Sequence, residues 1–145
     1  EALAGVAPDA DLAPVAERVV AERRAAGRLV AGLGHPVHKP IDPRVPKLFE
    51  VAAANGLAGR YVRLMELVGE AMTRASGRPL PVNATGAIGA IASELELPWQ
   101  VCRGLAVMAR AIGLVAHLQE ELAEPMAAEI WTRVEEEASR HLRPG

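Results

Sequence analysis

The residues best equipped for chemistry lie together, in Gly32-Leu33-Gly34-His35-Pro36-Val37-His38-Lys39-Pro40-Ile41-Asp42-Pro43-Arg44. Glycine lets a backbone approach a ligand closely and reaches positive φ at little cost. Pro36, Pro40 and Pro43 each fix φ and remove an amide donor, which forbids a regular helix or a central strand across the segment. The segment is therefore a stiffened loop carrying an imidazole, His35, and two fixed cations, Lys39 and Arg44. Such a loop suits a small anion or an acyl carrier, because loops held by a scaffold carry much of binding and catalysis.

Helices must hold this loop, since no run of alternating β-branched residues is present and the expected class is all-α. Leu12, Val15, Ala16, Val19 and Val20 recur at helical spacing behind Asp11, with a stop near Gly27. Asp42 reads as a cap with Pro43 at the first helical position, opening a helix through Val45, Leu48, Phe49 and Val51 that ends at Asn55-Gly56. Arg44 then sits at a helix N-terminus. A longer helix is predicted from about Leu57 to Ser76. Asn83 can cap the next, through Ile88, Ile91 and Leu95, whose Gly86, Gly89 and Ala90 leave a flat face. Pro98 opens a helix from Trp99 to about Leu122, and a last amphipathic helix runs from Pro125 to about His141.

At 145 residues and 50% hydrophobic content, the chain has the size and apolar material for a single folded unit. Aromatic residues are 3%, so the core must be Ala, Leu, Val and Ile between closely approaching helices. A net charge of −2 gives no electrostatic reason to expect nucleic acid or an anionic membrane surface. Cys102 is alone, which excludes an internal disulfide and a multi-cysteine zinc site, and a cytoplasmic setting is the default. No charged segment followed by an apolar run opens the sequence, so no signal peptide is expected.

The Trp99–Leu122 helix approaches the length of a bilayer core, but Arg103, Arg110 and His117 form one stripe along it at intervals of seven. Central arginines are costly in hydrocarbon, and a buried core helix is the expectation instead. Arg110 lies amid Val107, Met108, Ala111 and Ile112, where a guanidinium needs a carboxylate or phosphate to offset its desolvation. That partner is a substrate, an internal acid such as Glu94 or Glu96, or an acid of a second subunit.

Three blocks in this order resemble the C-terminal part of the citrate synthase family, including its shorter citryl-CoA lyase-like members. The first is Gly32-Leu33-Gly34-His35 with Asp42-Pro43-Arg44 at the family's spacing; the second is Pro81-Val82-Asn83-Ala84-Thr85-Gly86-Ala87-Ile88; the third is Ala109-Arg110 with Val115-Ala116-His117. The resemblance implies carbon–carbon bond formation or cleavage on a coenzyme A thioester, with an oxoacid or a hydroxy-polycarboxylate as the other substrate. It implies that His35 polarises the oxoacid carbonyl, that Arg44 and Arg110 hold carboxylates, that the backbone of Val30, Gly32, Leu33 and Gly34 lies against the CoA adenine, and that Lys39 faces its phosphates. No metal is implied. Where the family places its aspartate base, this chain has Thr85, whose hydroxyl cannot act as a carboxylate base near neutral pH.

The family also draws a second histidine from an upstream glycine-rich segment and further arginines near its C-terminus, one across a dimer. No such upstream segment stands in these residues. The resemblance therefore implies the family's small domain, over about 12–122, followed from about 123 by a C-terminal helix returning to the large domain, within a homodimer. A metal site from His35, His38 and Asp42 is disfavoured, because these residues share a proline-stiffened loop rather than one helix face. His117 reads as a hydrogen-bonded core or dimer histidine, Cys102 as a small core residue, and Glu135-Glu136-Glu137 as a solvated face. Gly32-x-Gly34 is an incomplete dinucleotide motif with no strand before it. Two functions follow: an enzyme on CoA thioesters, favoured by His35 and by Arg44 and Arg110 read as unpaired cations, or a noncatalytic helical module for oligomerisation or CoA sensing, favoured by Thr85.

Overall fold

A computed structural model describes residues 2–142 of the chain. They form six α-helices: α1 (Ala13–Ala25), α2 (Arg44–Ala54), α3 (Arg60–Ser76), α4 (Ala84–Glu94), α5 (Cys102–Ala123) and α6 (Ala127–Ala138), with single 3-10 turns at Trp99–Val101 and Arg140–Leu142. Among the described residues the one β-type contact is an isolated antiparallel bridge, Leu33 to Val82, so the class is all-α. The chain divides into two compact units, Glu1–Cys102 and Arg103–Gly145. Their boundary lies inside the span read from sequence as small-domain helices.

In the first unit α3 packs on α1 and α4, and α2 packs on α4. The core comes from Leu12, Val15, Ala16 and Val20 on one side and Leu64, Leu67, Val68 and Ala71 on the other, all aliphatic as the composition requires. The α1 start is held by Asp11, whose Oδ1 accepts the Ala13 N–H at 3.0 Å, and Gly27 turns the chain away at φ 64°. At the head of α3 the capping group comes from far away. Glu94, at the end of α4, accepts the N–H groups of Tyr61 and Val62 at 2.6 and 3.0 Å, and a Cβ at Gly59 would collide with that carboxylate. This explains why α3 begins at Arg60 rather than at Leu57.

The 32–34 loop is strapped to the segment before α4. Gly34 N–H donates to Pro81 C=O at 2.7 Å and Asn83 N–H to Gly32 C=O at 2.9 Å, while the Asn83 amide donates to Gly34 C=O at 2.8 Å. The same Asn83 caps α4 by accepting the Gly86 N–H at 3.1 Å. Strapping this tight brings backbone onto backbone: a Cβ on Gly32 would sit 2.7 Å from Gly86 Cα, and Gly32 holds φ 87°. Both positions thus require glycine.

In the second unit, Glu121 closes the turn into α6 by accepting the N–H groups of Met126 and Ala127. Those bonds, the Ala127 one foremost, hold its carboxyl below the ordinary range. Neither α5 nor α6 buries a residue, and Ile112 is 75% and Trp131 73% exposed. The expectation of a buried core helix is not met. An apolar sequence sets how much surface a helix must cover, and a unit of two helices supplies too little partner surface to cover it. By length and composition Trp99–Ala123 could cross a membrane, but Arg103 and Arg110 would be costly there.

The backbone contact at Gly32 predicts a graded effect of adding one methyl group. Gly32→Ala should lower unfolding free energy by about 2–4 kcal/mol, because it combines a left-handed backbone with a collision. Gly27→Ala, left-handed but open on its Cβ side, should cost about 1–2 kcal/mol. Urea titration of the two variants checks the order.

Candidate active site

Asp42 is the hub of the site and is fully buried. Its Oδ1 accepts the Arg44 N–H at 3.1 Å and the Arg44 Nε at 2.9 Å; its Oδ2 accepts Arg44 Nη2 at 2.8 Å and the Ala84 N–H at 3.0 Å. The first of these bonds gives the helix-start function predicted for Asp42, and the last fixes the first residue of α4. The Arg44 side chain, foremost, and then the Arg44 and Ala84 amides hold the Asp42 carboxyl far below the usual carboxylate range, outweighing the opposing effect of burial. The Asp42 hydrogen bond likewise raises the Arg44 pKa.

Arg44 is therefore not the unpaired cation that the sequence suggested. Its partner stands two residues back, where a side chain at a helix start folds over the first turn. The guanidinium remains useful: its side chain is 52% exposed, and Asp42 engages only Nε and one N–H of Nη2. The Nη1 edge keeps donors in a fork that fits a carboxylate.

His35 is half-buried, and two backbone amides fix the orientation of its ring. Its Nδ1 accepts the N–H of Val37 at 3.1 Å and of His38 at 3.0 Å. With Nδ1 used as the acceptor, Nε2 is the nitrogen left to donate to a ligand. The His38 ring stacks on it with centroids 4.4 Å apart. His35 thus has its ring oriented by the loop backbone, next to a Gly34 carbonyl that accepts from Asn83.

Thr85 is exposed in the first turn of α4 and lines a groove of about 350 Å³ together with Val30, Gly32, Met65, Gly86 and Ser93. The structure thus places two of the positions assigned to the CoA adenine beside Thr85. Leu33 turns its side chain to the core, leaving only its backbone to the loop surface. Lys39 is exposed and makes no ion pair among the described residues. Arg110 belongs to the second unit, where it is exposed on α5. His117, read as a core or dimer histidine, is exposed and bonds Glu120 at 2.9 Å. Sequence reading missed the second role of Asn83 and the reach of Asp42 to Ala84; the only local signal was that both residue types favour caps.

Residues 3–132 match the family model described as "Citrate synthase, C-terminal domain". Among solved structures, citryl-CoA lyase from Hydrogenobacter thermophilus is similar, with a TM-score of 0.70 and 32% sequence identity over 85% of this chain. The match covers 46% of that structure's chain, so the present chain spans less than half its length. No curated protein matches.

Asn at position 42 would keep the shape but lose the charge. Asp42→Asn should lower the thermal midpoint by on the order of 10 °C at pH 7. Because the folded-state pKa lies below the ordinary 3.8, the wild-type advantage is complete above that pH and is lost as pH falls below it. Melting curves of both proteins from pH 7 to pH 3 should show a constant gap down to about pH 5 that narrows below about pH 4.

Proposed function

The chain belongs to the citrate synthase family, and from that premise we propose that it supplies the small-domain side of an active site that forms or cleaves a carbon–carbon bond beside a coenzyme A thioester. The other substrate is an oxoacid in condensation or a hydroxy-polycarboxylate, such as the citryl group, in cleavage. The observation that carries this reading is the pair of backbone amides bonded to His35 Nδ1, which leaves Nε2 as the donor. A neutral imidazole with its hydrogen on Nε2 donates to a carbonyl oxygen and strengthens that bond as the oxygen gains negative charge, which is where stabilisation lowers a barrier.

The remaining roles are those that the family resemblance implies. The free edge of Arg44 holds a substrate carboxylate, with its orientation fixed by Asp42. Arg110 is proposed for a second carboxylate. The backbone of Val30, Gly32, Leu33 and Gly34 takes the adenine, and Lys39 the CoA phosphates. Thr85 stands where the family has its aspartate base. Its hydroxyl donates or accepts a hydrogen bond but cannot hold a proton taken from carbon at neutral pH. Proton transfer to or from the α-carbon is consequently the weak step, in either direction of the reaction. A homodimer is part of the proposal, with the exposed apolar faces of α5 and α6 as its motive.

The Thr85 substitution also favours a second reading, a helical module that binds CoA or carboxylates without turnover. Citryl-CoA cleavage by the wild type, Thr85→Asp and His35→Asn separates the two. The enzyme reading expects Thr85→Asp to raise kcat by about tenfold or more, as a restored general base would, and His35→Asn to lower it by about 10²–10³-fold. No cleavage by wild type or Thr85→Asp, with no thermal shift on adding CoA, sinks it.

A further inference from the structure

We propose that Arg23 reads the 3′-phosphate of the coenzyme and so makes this site selective for coenzyme A over its 3′-dephospho form. The inference rests on the reading of the chain as a CoA-thioester protein and adds a contact to it. The groove beside Thr85 has one charged side chain in its lining, Arg23 from the last turn of α1. Its other walls are apolar or small, including Val19, Val30, Gly32 and Met65. A volume of about 350 Å³ lies at the lower end of the range for ligand clefts. An apolar slot with one cation in its lining complements a flat heterocycle carrying one anionic group.

The neighbours of Arg23 show that this cation is available. The adjacent Arg24 is committed to the fold, donating through Nη1 to Ala75 C=O at 2.6 Å. Glu22 is engaged by Arg18 at 3.5 Å and Glu17 by Arg74 at 2.6 Å. Arg23 itself makes no ion pair or hydrogen bond through its side chain among the described residues, and it is exposed. Val30, Gly32 and Arg23 line the same groove, so a base laid on that backbone would share its cleft with the guanidinium. Guanidinium and phosphate then pair through parallel N–H···O bonds.

Titration calorimetry with CoA and with 3′-dephospho-CoA tests this on wild type, Arg23→Gln and Arg23→Lys. Wild type is expected to bind CoA about tenfold to a hundredfold more tightly than the dephospho form. Arg23→Gln should bring that ratio to near one by weakening CoA alone, and Arg23→Lys should keep part of it. Equal binding of both nucleotides by wild type, or an unchanged ratio in Arg23→Gln, overturns the inference while leaving the CoA reading intact. Failure of wild type to bind either nucleotide removes both.

Discussion

A buried carboxylate organises the first unit. Asp42 joins three things that are far apart in sequence or purpose: the start of α2, the start of α4 and the orientation of Arg44. Removing a carboxylate from water is expensive, and the fold tolerates it because every contact is a donor and one of them is a cation. The cost of burial falls on Asp42 while Arg44 keeps half its side chain in solvent. That asymmetry suits a binding group. Under the proposed function, an arginine held by a buried acid would meet a carboxylate with little freedom left to lose.

The second constraint is proximity without side chains. A core almost free of aromatic rings draws its helices close together, and the Gly32–Gly86 contact carries this to the limit of backbone against backbone. The same contact sets the positions of His35 and Thr85, since one follows Gly32 by three residues and the other precedes Gly86 by one. The 32–34 loop and the first turn of α4 are thus joined through Asn83 and the two glycines.

Local rules made most of this legible. Asp11, Gly27, Asp42, Asn55-Gly56, Gly77 and Asn83 mark helix ends, and the structure begins or ends helices within a few residues of each. The site was legible as a set of residue types around one loop, because glycine, proline and histidine carry their physics with them. Three features were not. The Glu94 cap on α3 joins residues more than thirty apart, which no window of periodicity spans. The Arg44 pairing depended on a side chain folding back over a helix start, where the motif suggested only a cap. The exposure of α5 escaped because hydrophobic periodicity says how much surface seeks cover and is silent on what supplies it.

The first turn of α4 leaves donors uncommitted at Thr85. Its neighbours' amides are committed: Ala84 N–H to Asp42, Gly86 N–H to the Asn83 side chain and Ala87 N–H to the Asn83 carbonyl. The Thr85 N–H has no acceptor among the described residues, and the same residue offers a hydroxyl. Two donors at the positive end of a helix favour negative charge, and the oxygen of a thioester enolate is where such charge develops. Aspartate at that position would exchange one of these donors for a proton acceptor. Under the proposed function, threonine there would stabilise an enolate better than it would create one, because the two chemical steps make opposite demands on one side chain.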